Sequence, residues 1–207
     1  MVEKWLNEVE NHWQNLPDLQ VDPEKLKHLA IICDGNRRAA MERNLHPYLG
    51  HRVGVETIKG IARAGRVWGL DTLTFWVWST ENWQRDSEQV EFVMALANEF
   101  LPKGDLLQEL LGNGVRFRHF GRKDRLSDNL SRIIASLEDK TSHLGRFRLN
   151  LGLDYGGLDE IVRAILRMDE GGFDYKRLKE TPNLLLQFLK IPPGNPYVLN
   201  PQSIYIF

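Results

Sequence analysis

Four short strand-like runs alternate with longer amphipathic segments along this chain, and no other feature of the sequence constrains the fold as much. The runs are candidate strands at 29–33, 71–78, 115–120 and 146–153. Strands that alternate with helices are typical of βαβ units, which build a parallel sheet with helices on its faces. We therefore expect an α/β fold: a single domain with a central, mostly parallel sheet flanked by helices.

The segments between these runs have the spacing of helices. Helices are predicted over 2–16 and 48–69, from about 87 to 101, from Ser127, and from Gly157, with short helices near 174–178 and 183–190. The helix from Gly157 carries Ile161, Val162, Ile165 and Leu166. Ser87 and Ser127 are the predicted N-caps. A loop at 191–196 and a final strand over 203–207 complete the prediction. Residues 1–27 form an N-terminal helix and connector in this prediction, and residues 28–207 form the α/β domain.

Composition excludes several classes of protein. The 207 residues carry a net charge of −1, so no global charge draws the chain to nucleic acid or to an anionic membrane. The one cysteine, Cys33, excludes an intrachain disulfide, suits a reducing compartment, and is interpreted as a core residue and not a nucleophile. The basic stretch 116–125 is interpreted as a solvated face. We expect a cytoplasmic protein without a nucleic-acid partner, whose membrane contact is only peripheral.

The first apolar run ends abruptly on the polar segment Asp34, Gly35, Asn36, Arg37 and Arg38. In α/β folds, ligands bind at the carboxyl ends of the strands. A carboxylate suits a hard cation such as Mg2+, whereas a glycine-opened backbone and guanidinium groups suit phosphate oxygens. The segment therefore indicates a metal-bound diphosphate, and a simple polar turn is the alternative.

A second polar cluster, residues 79–85, follows the next apolar run. In a parallel sheet both strand ends lie at the same edge, so the two clusters can share one pocket. Arg85 is a candidate phosphate contact, and Trp83 either packs against an apolar ligand or fills its own loop. His51 could donate its N–H to a phosphate or accept a proton, and the alternative is an exposed residue at a helix start.

At these residues the chain resembles a known family. Three stretches carry the resemblance: His28–Arg38 (HLAIICDGNRR) with Gly50–Gly54 (GHRVG), Leu73–Arg85 (LTFWVWSTENWQR), and Leu149–Gly157 (LNLGLDYGG). They resemble the cis-prenyltransferases, the undecaprenyl diphosphate synthase or isoprenyl transferase family, and they are collinear with it from about residue 25 to 168. The pairing of Asp-Gly-Asn with Ser-x-Glu-Asn-Trp is highly specific.

The resemblance implies an enzyme that condenses isopentenyl diphosphate with an allylic prenyl diphosphate to form a cis-polyprenyl diphosphate. It implies Mg2+ bound by Asp34, catalysis by Asp34 and Asn82, and a homodimer. The implied substrate-binding residues are Gly35, Asn36, Arg37, Arg38, His51, Ser79, Thr80, Glu81, Trp83 and Arg85. Because an amide is a poor base, a phosphate oxygen or a relay through His51 is an alternative to Asn82 as proton acceptor. The growing tail requires a hydrophobic channel, expected between the sheet and the helix at 87–101.

The chain also departs from the family pattern. Arg37 stands where the family usually has glycine, Ala39 where it has tryptophan, Pro47 where it has arginine, and Leu158 where it has arginine. Residues 192–207 contain no counterpart of the Arg/Ser/Glu segment with which the family binds isopentenyl diphosphate. We therefore expect a C-terminally incomplete domain. The alternatives are a non-catalytic prenyl-diphosphate-binding or dimerising homologue, and a generic phosphate-binding α/β module.

Overall fold

A five-stranded parallel sheet forms the centre of the fold in the computed structural model, which describes residues 1–16, 19–22, 24–190 and 203–206. The strands are β1 (His28–Ile32), β2 (Thr72–Ser79), β3 (Val115–Phe120), β4 (Phe147–Tyr155) and β5 (Ser203–Ile206). Their order across the sheet is β3-β4-β2-β1-β5, and all four neighbouring pairs are parallel. The expected α/β class and the four expected runs are confirmed. The final strand is also present, paired with β1.

Helices connect the strands and cover the sheet. They are α1 (Val2–Gln14), α2 (Asn36–Met41), α3 (Leu49–Val67), α4 (Ser87–Phe100), α5 (Gly104–Gly112), α6 (Asp128–Lys140), α7 (Gly157–Glu170) and α8 (Arg177–Glu180). Two 3-10 turns, Thr80–Gln84 and Pro182–Gln187, follow β2 and α8. None of the helices in the described ranges is both long and apolar enough to cross a membrane.

The core lies between the sheet and α6, with α3, α4 and α5 packed against it. Leu73 and Phe75 of β2 are 0% and 1% exposed, and Ile134 of α6 is 0% exposed. Complete burial of one such side chain contributes about 1.5–3 kcal/mol. Burial of this face explains why apolar and polar residues alternate along β3.

Several local predictions need correction. The segment after β1 is not a simple polar turn: Gly35 adopts a left-handed φ of 85°, and the chain enters α2 directly. Asp86, and not Ser87, is the N-cap of α4, because its carboxylate accepts from the backbone N–H of Gln89 at 2.8 Å. The Ser127 cap is confirmed, since its hydroxyl accepts from the backbone N–H of Leu130.

The end of the chain also differs from the prediction. The segment expected as a helix over 183–190 is a 3-10 turn at Pro182–Gln187, and the short helix α8 begins at Arg177. The loop expected at 191–196 lies outside the described residues. The division at residue 27 stays a prediction.

Five apolar residues of α7 are exposed to solvent, whereas Ala164 and Met168 of the same helix are buried. Ile161, Val162, Ile165 and Leu166 are 42%, 48%, 43% and 55% exposed, and Leu158 is 76% exposed. Periodicity identifies an apolar helix face, but it does not reveal what that face contacts.

Candidate functional site

A polar pocket of about 510 Å³ lies where β1 and β2 end. It brings together eight residues that the sequence predicted for the site: Asp34, Gly35, Asn36, Arg37, Arg38, His51, Asn82 and Arg85. Cys33, Met41, Val77, Trp78 and Asp86 complete its lining. The two polar clusters therefore share one pocket, as the parallel sheet predicted.

The loop after β1 presents the Asp34 carboxylate to solvent. One carboxylate oxygen of Asp34 accepts from the Gly35 N–H at 2.6 Å, and the other accepts from Arg38 at 3.1 Å. The Asp34 side chain remains 76% exposed. Since a carboxylate has about four acceptor positions, Asp34 keeps capacity for a further ligand.

Two glycines of α3 allow the helix to pack tightly against this loop. A Cβ at Gly50 would lie 1.8 Å from the carbonyl oxygen of Asn36, and a Cβ at Gly54 would lie 2.7 Å from the Asn36 side-chain oxygen. Asn36 itself donates its amide to the carbonyl of Cys33 at 3.1 Å. The spacing Gly-His-Arg-Val-Gly therefore reflects close packing of α3 on the pocket wall, which brings His51 to the pocket.

His51 is half-buried in the first turn of α3, so the interpretation as an exposed helix-start residue is wrong. Burial lowers the pKa of His51 to about 4, and the positive charges of Arg85 and Arg37 add to this effect. Its Nε2 lies 3.2 Å from the Nε2 of Gln89, a fully buried residue of α4. His51 is therefore neutral at neutral pH.

Tyr48 and Asp86 form a polar pair at the rim of the pocket. The Tyr48 hydroxyl donates to the Asp86 carboxylate, which raises the pKa of Tyr48 to about 12 and lowers that of Asp86. Sequence reasoning missed this pair and also missed Gln89. The spacing of Asp86 and Gln89 resembles a capping box, and that signal could have pointed to both.

Four predicted site residues lie outside the lining of this pocket: Ser79, Thr80, Glu81 and Trp83. The Ser79 hydroxyl donates to the Glu81 carboxylate at 2.7 Å, which lowers the pKa of Glu81. A Cβ at Gly156 would lie 2.2 Å from the hydroxyl oxygen of Thr80, so the 3-10 turn packs directly on the end of β4. The substrate-binding role of these residues stays a prediction.

Trp83 is held by a buried ion pair that the sequence did not reveal. Its indole N–H donates to the Asp154 carboxylate at 2.8 Å, and Arg125 donates to the same carboxylate through Nε at 2.9 Å. The Arg125 guanidinium also lies 5.5 Å from the centre of the Trp83 ring. The partners come from β4 and from the segment before α6, so only the tertiary fold brings them together.

An apolar cavity of about 370 Å³ lies between the sheet and helices α3 and α4. Its walls include Ile58, Val93, Ala97, Phe75 and Leu151. It shares five lining residues with the polar pocket: Cys33, Asp34, Asn36, His51 and Val77. The position agrees with the channel expected next to the helix at 87–101.

Cys33 contributes to the wall between the two cavities. Burial raises the pKa of its thiol to about 12, so the thiol is protonated at neutral pH. Since the thiolate is the reactive form, this supports the interpretation of Cys33 as a structural residue.

Comparison with known proteins identifies the family. Residues 32–196 match the family model described as "Putative undecaprenyl diphosphate synthase". The chain belongs to this family. It is 36% identical over 170 residues to an isoprenyl transferase of Treponema denticola, covering 82% of this chain and 74% of that protein. It is 40% identical over 147 residues to isoprenyl transferase 1 of Bradyrhizobium diazoefficiens, covering 71% of this chain and 58% of that protein.

Solved structures give the same result. Lavandulyl diphosphate synthase from Lavandula x intermedia, in complex with dimethylallyl diphosphate, superposes with a TM-score of 0.72 at 29% identity, covering 81% of this chain and 72% of that one. A probable undecaprenyl diphosphate synthase from Campylobacter jejuni superposes with a TM-score of 0.63 at 30% identity, covering 81% of this chain and 70% of that one. The resemblance seen in the sequence is confirmed. The relatives are prenyltransferases, which supports prenyl-chain condensation and disfavours the non-catalytic alternative.

Proposed function

We propose that this chain condenses isopentenyl diphosphate with an allylic prenyl diphosphate, forming a cis-polyprenyl diphosphate. The observation that carries the proposal is the junction of the polar pocket with the apolar cavity, which share Asp34, Asn36 and His51 in their linings. A prenyl diphosphate has a charged head and an apolar tail. The pocket suits the head, and the cavity between the sheet and α3 and α4 suits the tail.

Three arginines supply the positive charge of the pocket: Arg37, Arg38 and Arg85. Each guanidinium group presents N–H donors in a planar fork that fits phosphate oxygens. Cleavage of the allylic C–O bond leaves negative charge on the departing diphosphate. Donors that are already in position stabilise this charge without reorganisation, which lowers the barrier.

Asp34 is the proposed ligand of Mg2+. Its carboxylate lies at the pocket, is mostly exposed and keeps free acceptor positions. Within the described residues no group of three or more His, Cys, Asp or Glu side chains could hold a metal. That fits Mg2+, which is commonly held by one or two carboxylates together with substrate phosphates and water. The bound ion would supply positive charge to the leaving diphosphate.

Asn82 is proposed to act where the proton leaves the newly added unit, because it lines the pocket beside Arg85. A neutral amide is a weak base, so Asn82 would orient the reacting unit while a phosphate oxygen of the substrate accepts the proton. The substrate-binding roles of Ser79, Thr80, Glu81 and Trp83 belong to the same proposal.

A homodimer is also part of the proposal, and the exposed apolar face of α7 supports it. Leu158, Ile161 and Leu166 are 76%, 42% and 55% exposed. A contiguous exposed apolar surface is typical of a contact between proteins. Sedimentation velocity should give a dimer mass for the wild type. A monomer mass at all concentrations would contradict this part of the proposal. The cytoplasmic location stays a prediction.

The proposal is tested by incubating the full chain with farnesyl diphosphate, radiolabelled isopentenyl diphosphate and Mg2+. We expect extractable labelled product from the wild type and from Asp139→Ala, an exposed carboxylate of α6 remote from the pocket. Asp34→Ala should lower product formation at least a hundredfold, because it removes the metal ligand. An absence of product from folded wild-type protein at any enzyme concentration would refute the proposal.

A further inference from the structure

Gln89 is a fully buried polar side chain beside the pocket, and the proposed reaction does not use it. It lies on α4 and is 0% exposed. Its amide oxygen accepts from the guanidinium of Arg37 at 3.0 Å, and its amide nitrogen lies 3.2 Å from the Nε2 of His51. Gln89 therefore connects two residues of the pocket, one from α2 and one from α3.

The chemistry of Arg37 determines which way the Gln89 amide points. The two ends of an amide have nearly the same shape, but a guanidinium group can only donate hydrogen bonds. The amide oxygen must therefore face Arg37. The amide NH2 group is left to face His51.

This orientation in turn determines the protonation of His51. A ring nitrogen that meets an NH2 donor must accept the hydrogen bond, so the Nε2 of His51 carries no proton. A neutral imidazole with an unprotonated Nε2 carries its proton on Nδ1. His51 then has one N–H to offer to a ligand and no remaining acceptor.

We propose that Gln89 is a positioning residue that holds His51 as the neutral tautomer protonated at Nδ1, so that His51 meets a diphosphate oxygen as a hydrogen-bond donor and not as a base. The identity of the ligand rests on the proposed function, whereas the tautomer does not. This assignment resolves the choice between the two roles that the sequence left open for His51.

The surroundings of His51 favour the same state. The charged groups that act on it are Arg85, which follows the 3-10 turn, and Arg37 of α2. Both are cations, and burial also disfavours a charged imidazole. A neutral donor therefore adds a hydrogen bond for the diphosphate without placing a buried cation next to Arg37 and Arg85.

Arg37 is the group that orients the Gln89 amide. Without a guanidinium group opposite its oxygen, the Gln89 amide could turn either way. Arg37 therefore has two roles: it offers positive charge to the pocket and fixes the tautomer of His51 through Gln89.

The test is 15N NMR of the histidine rings in the full ligand-free chain near pH 7.5. The chain has six histidines, and the His51 signals are assigned by their loss in His51→Gln. We expect the proton on Nδ1 in the wild type and in Gln108→Glu, an exposed control on α5. In Gln89→Glu the carboxylate can only accept, so Nε2 of His51 should carry a proton. A wild-type proton on Nε2, or an unprotonated Nε2 in Gln89→Glu, would overturn the proposal.

Arg37→Ala provides a second variant whose change lies at an exposed position and leaves the buried amide intact. Here we expect a measurable fraction of the Nε2-protonated tautomer. A tautomer that remains entirely on Nδ1 would refute the role assigned to Arg37.

Titration with inorganic pyrophosphate tests the donor role separately from catalysis. We expect pyrophosphate to shift the Nδ1–H signal of His51 in the wild type and to bind at least about tenfold more weakly to Gln89→Glu, since the variant changes the donor that His51 offers and adds a carboxylate near the pocket. Pyrophosphate binding that leaves this signal unchanged would refute the donor role. No product in the elongation assay together with a shifted Nδ1–H signal would refute the proposed function and leave this inference standing.

Discussion

Replacement of Asp154 tests how the loop that carries Asn82 is held at the pocket. The Asp154 carboxylate is 0% exposed and accepts from the indole of Trp83 and from two nitrogens of Arg125. Its backbone φ is 58°, in the left-handed region. Trp83 directly follows Asn82, so a loss of this anchor should affect both stability and catalysis.

The expected cost has two parts. Loss of one partner of a buried ion pair costs about 3–5 kcal/mol. Because the Arg125 side chain is 32% exposed, water screens it partly and we reduce this to about 2–4 kcal/mol. Alanine in the left-handed region adds about 1 kcal/mol. Asp154→Ala should therefore destabilise the fold by about 3–5 kcal/mol, which is roughly 10 °C in Tm for a chain of this size.

Asp154→Asn separates the two parts. Asparagine tolerates the left-handed backbone and keeps one carbonyl oxygen to accept from Trp83 or Arg125. We expect a loss of about 1–2 kcal/mol, since charge is removed but shape and one hydrogen bond remain. Asp139→Asn, on the exposed surface of α6, is the matched control and should change stability by less than about 0.5 kcal/mol.

Urea denaturation followed by circular dichroism gives the free energies of unfolding, and the elongation assay gives kcat. We expect kcat to fall in the order wild type, Asp154→Asn, Asp154→Ala, because the Trp83 anchor is progressively lost. Equal free energies for the two variants would refute the contribution of the backbone and the retained oxygen. Losses below about 0.5 kcal/mol in both would refute the buried ion pair itself.

Three further outcomes follow from the geometry. Ala97→Phe fills the apolar cavity and should shorten the product chains measured by thin-layer chromatography, whereas the exposed Ala95→Phe on the same helix should not. Gly50→Ala should weaken pyrophosphate binding measured by calorimetry, because its Cβ would lie 1.8 Å from the Asn36 carbonyl; Gly112→Ala, with nothing within 4 Å, should leave binding unchanged. Burial lowers the pKa of three histidines to about 4, namely His28, His51 and His119. Between pH 6.5 and 4 the unfolded chain binds more protons than the folded chain. The free energy of unfolding should therefore decrease as the pH is lowered through this range, by up to about 1.4 kcal/mol per pH unit for each histidine. A flat stability profile over this range would contradict the burial of these rings.

The sheet was predictable because its strands are buried on an apolar face. The run Leu29–Cys33 differs from the observed β1 by one residue at each end, and the other three runs also agree closely with their strands. Helix α2 was not predictable in the same way. It has only six residues, three of them polar, and it depends on the left-handed conformation of Gly35.

The pocket was predictable to the extent that it follows from parallel strands ending at one edge. That rule brought Asp34 together with Asn82 and Arg85. It did not distinguish the residues of the 3-10 turn, where Trp83 faces Asp154 while Asn82 faces the pocket. Gln89 escaped detection because its partners are distant in the chain and meet it only through the packing of α4 against α2 and α3.

The measurement that bears most directly on the proposed function is the geometry of the double bonds made by the full chain from farnesyl diphosphate and isopentenyl diphosphate. NMR of the dephosphorylated product distinguishes cis from trans units. Every unit added by the enzyme should be cis, attached to a primer whose trans bonds are unchanged. Newly added trans units, or no added unit from folded protein in the presence of Mg2+, would contradict the assignment of this pocket and cavity to cis-prenyl transfer.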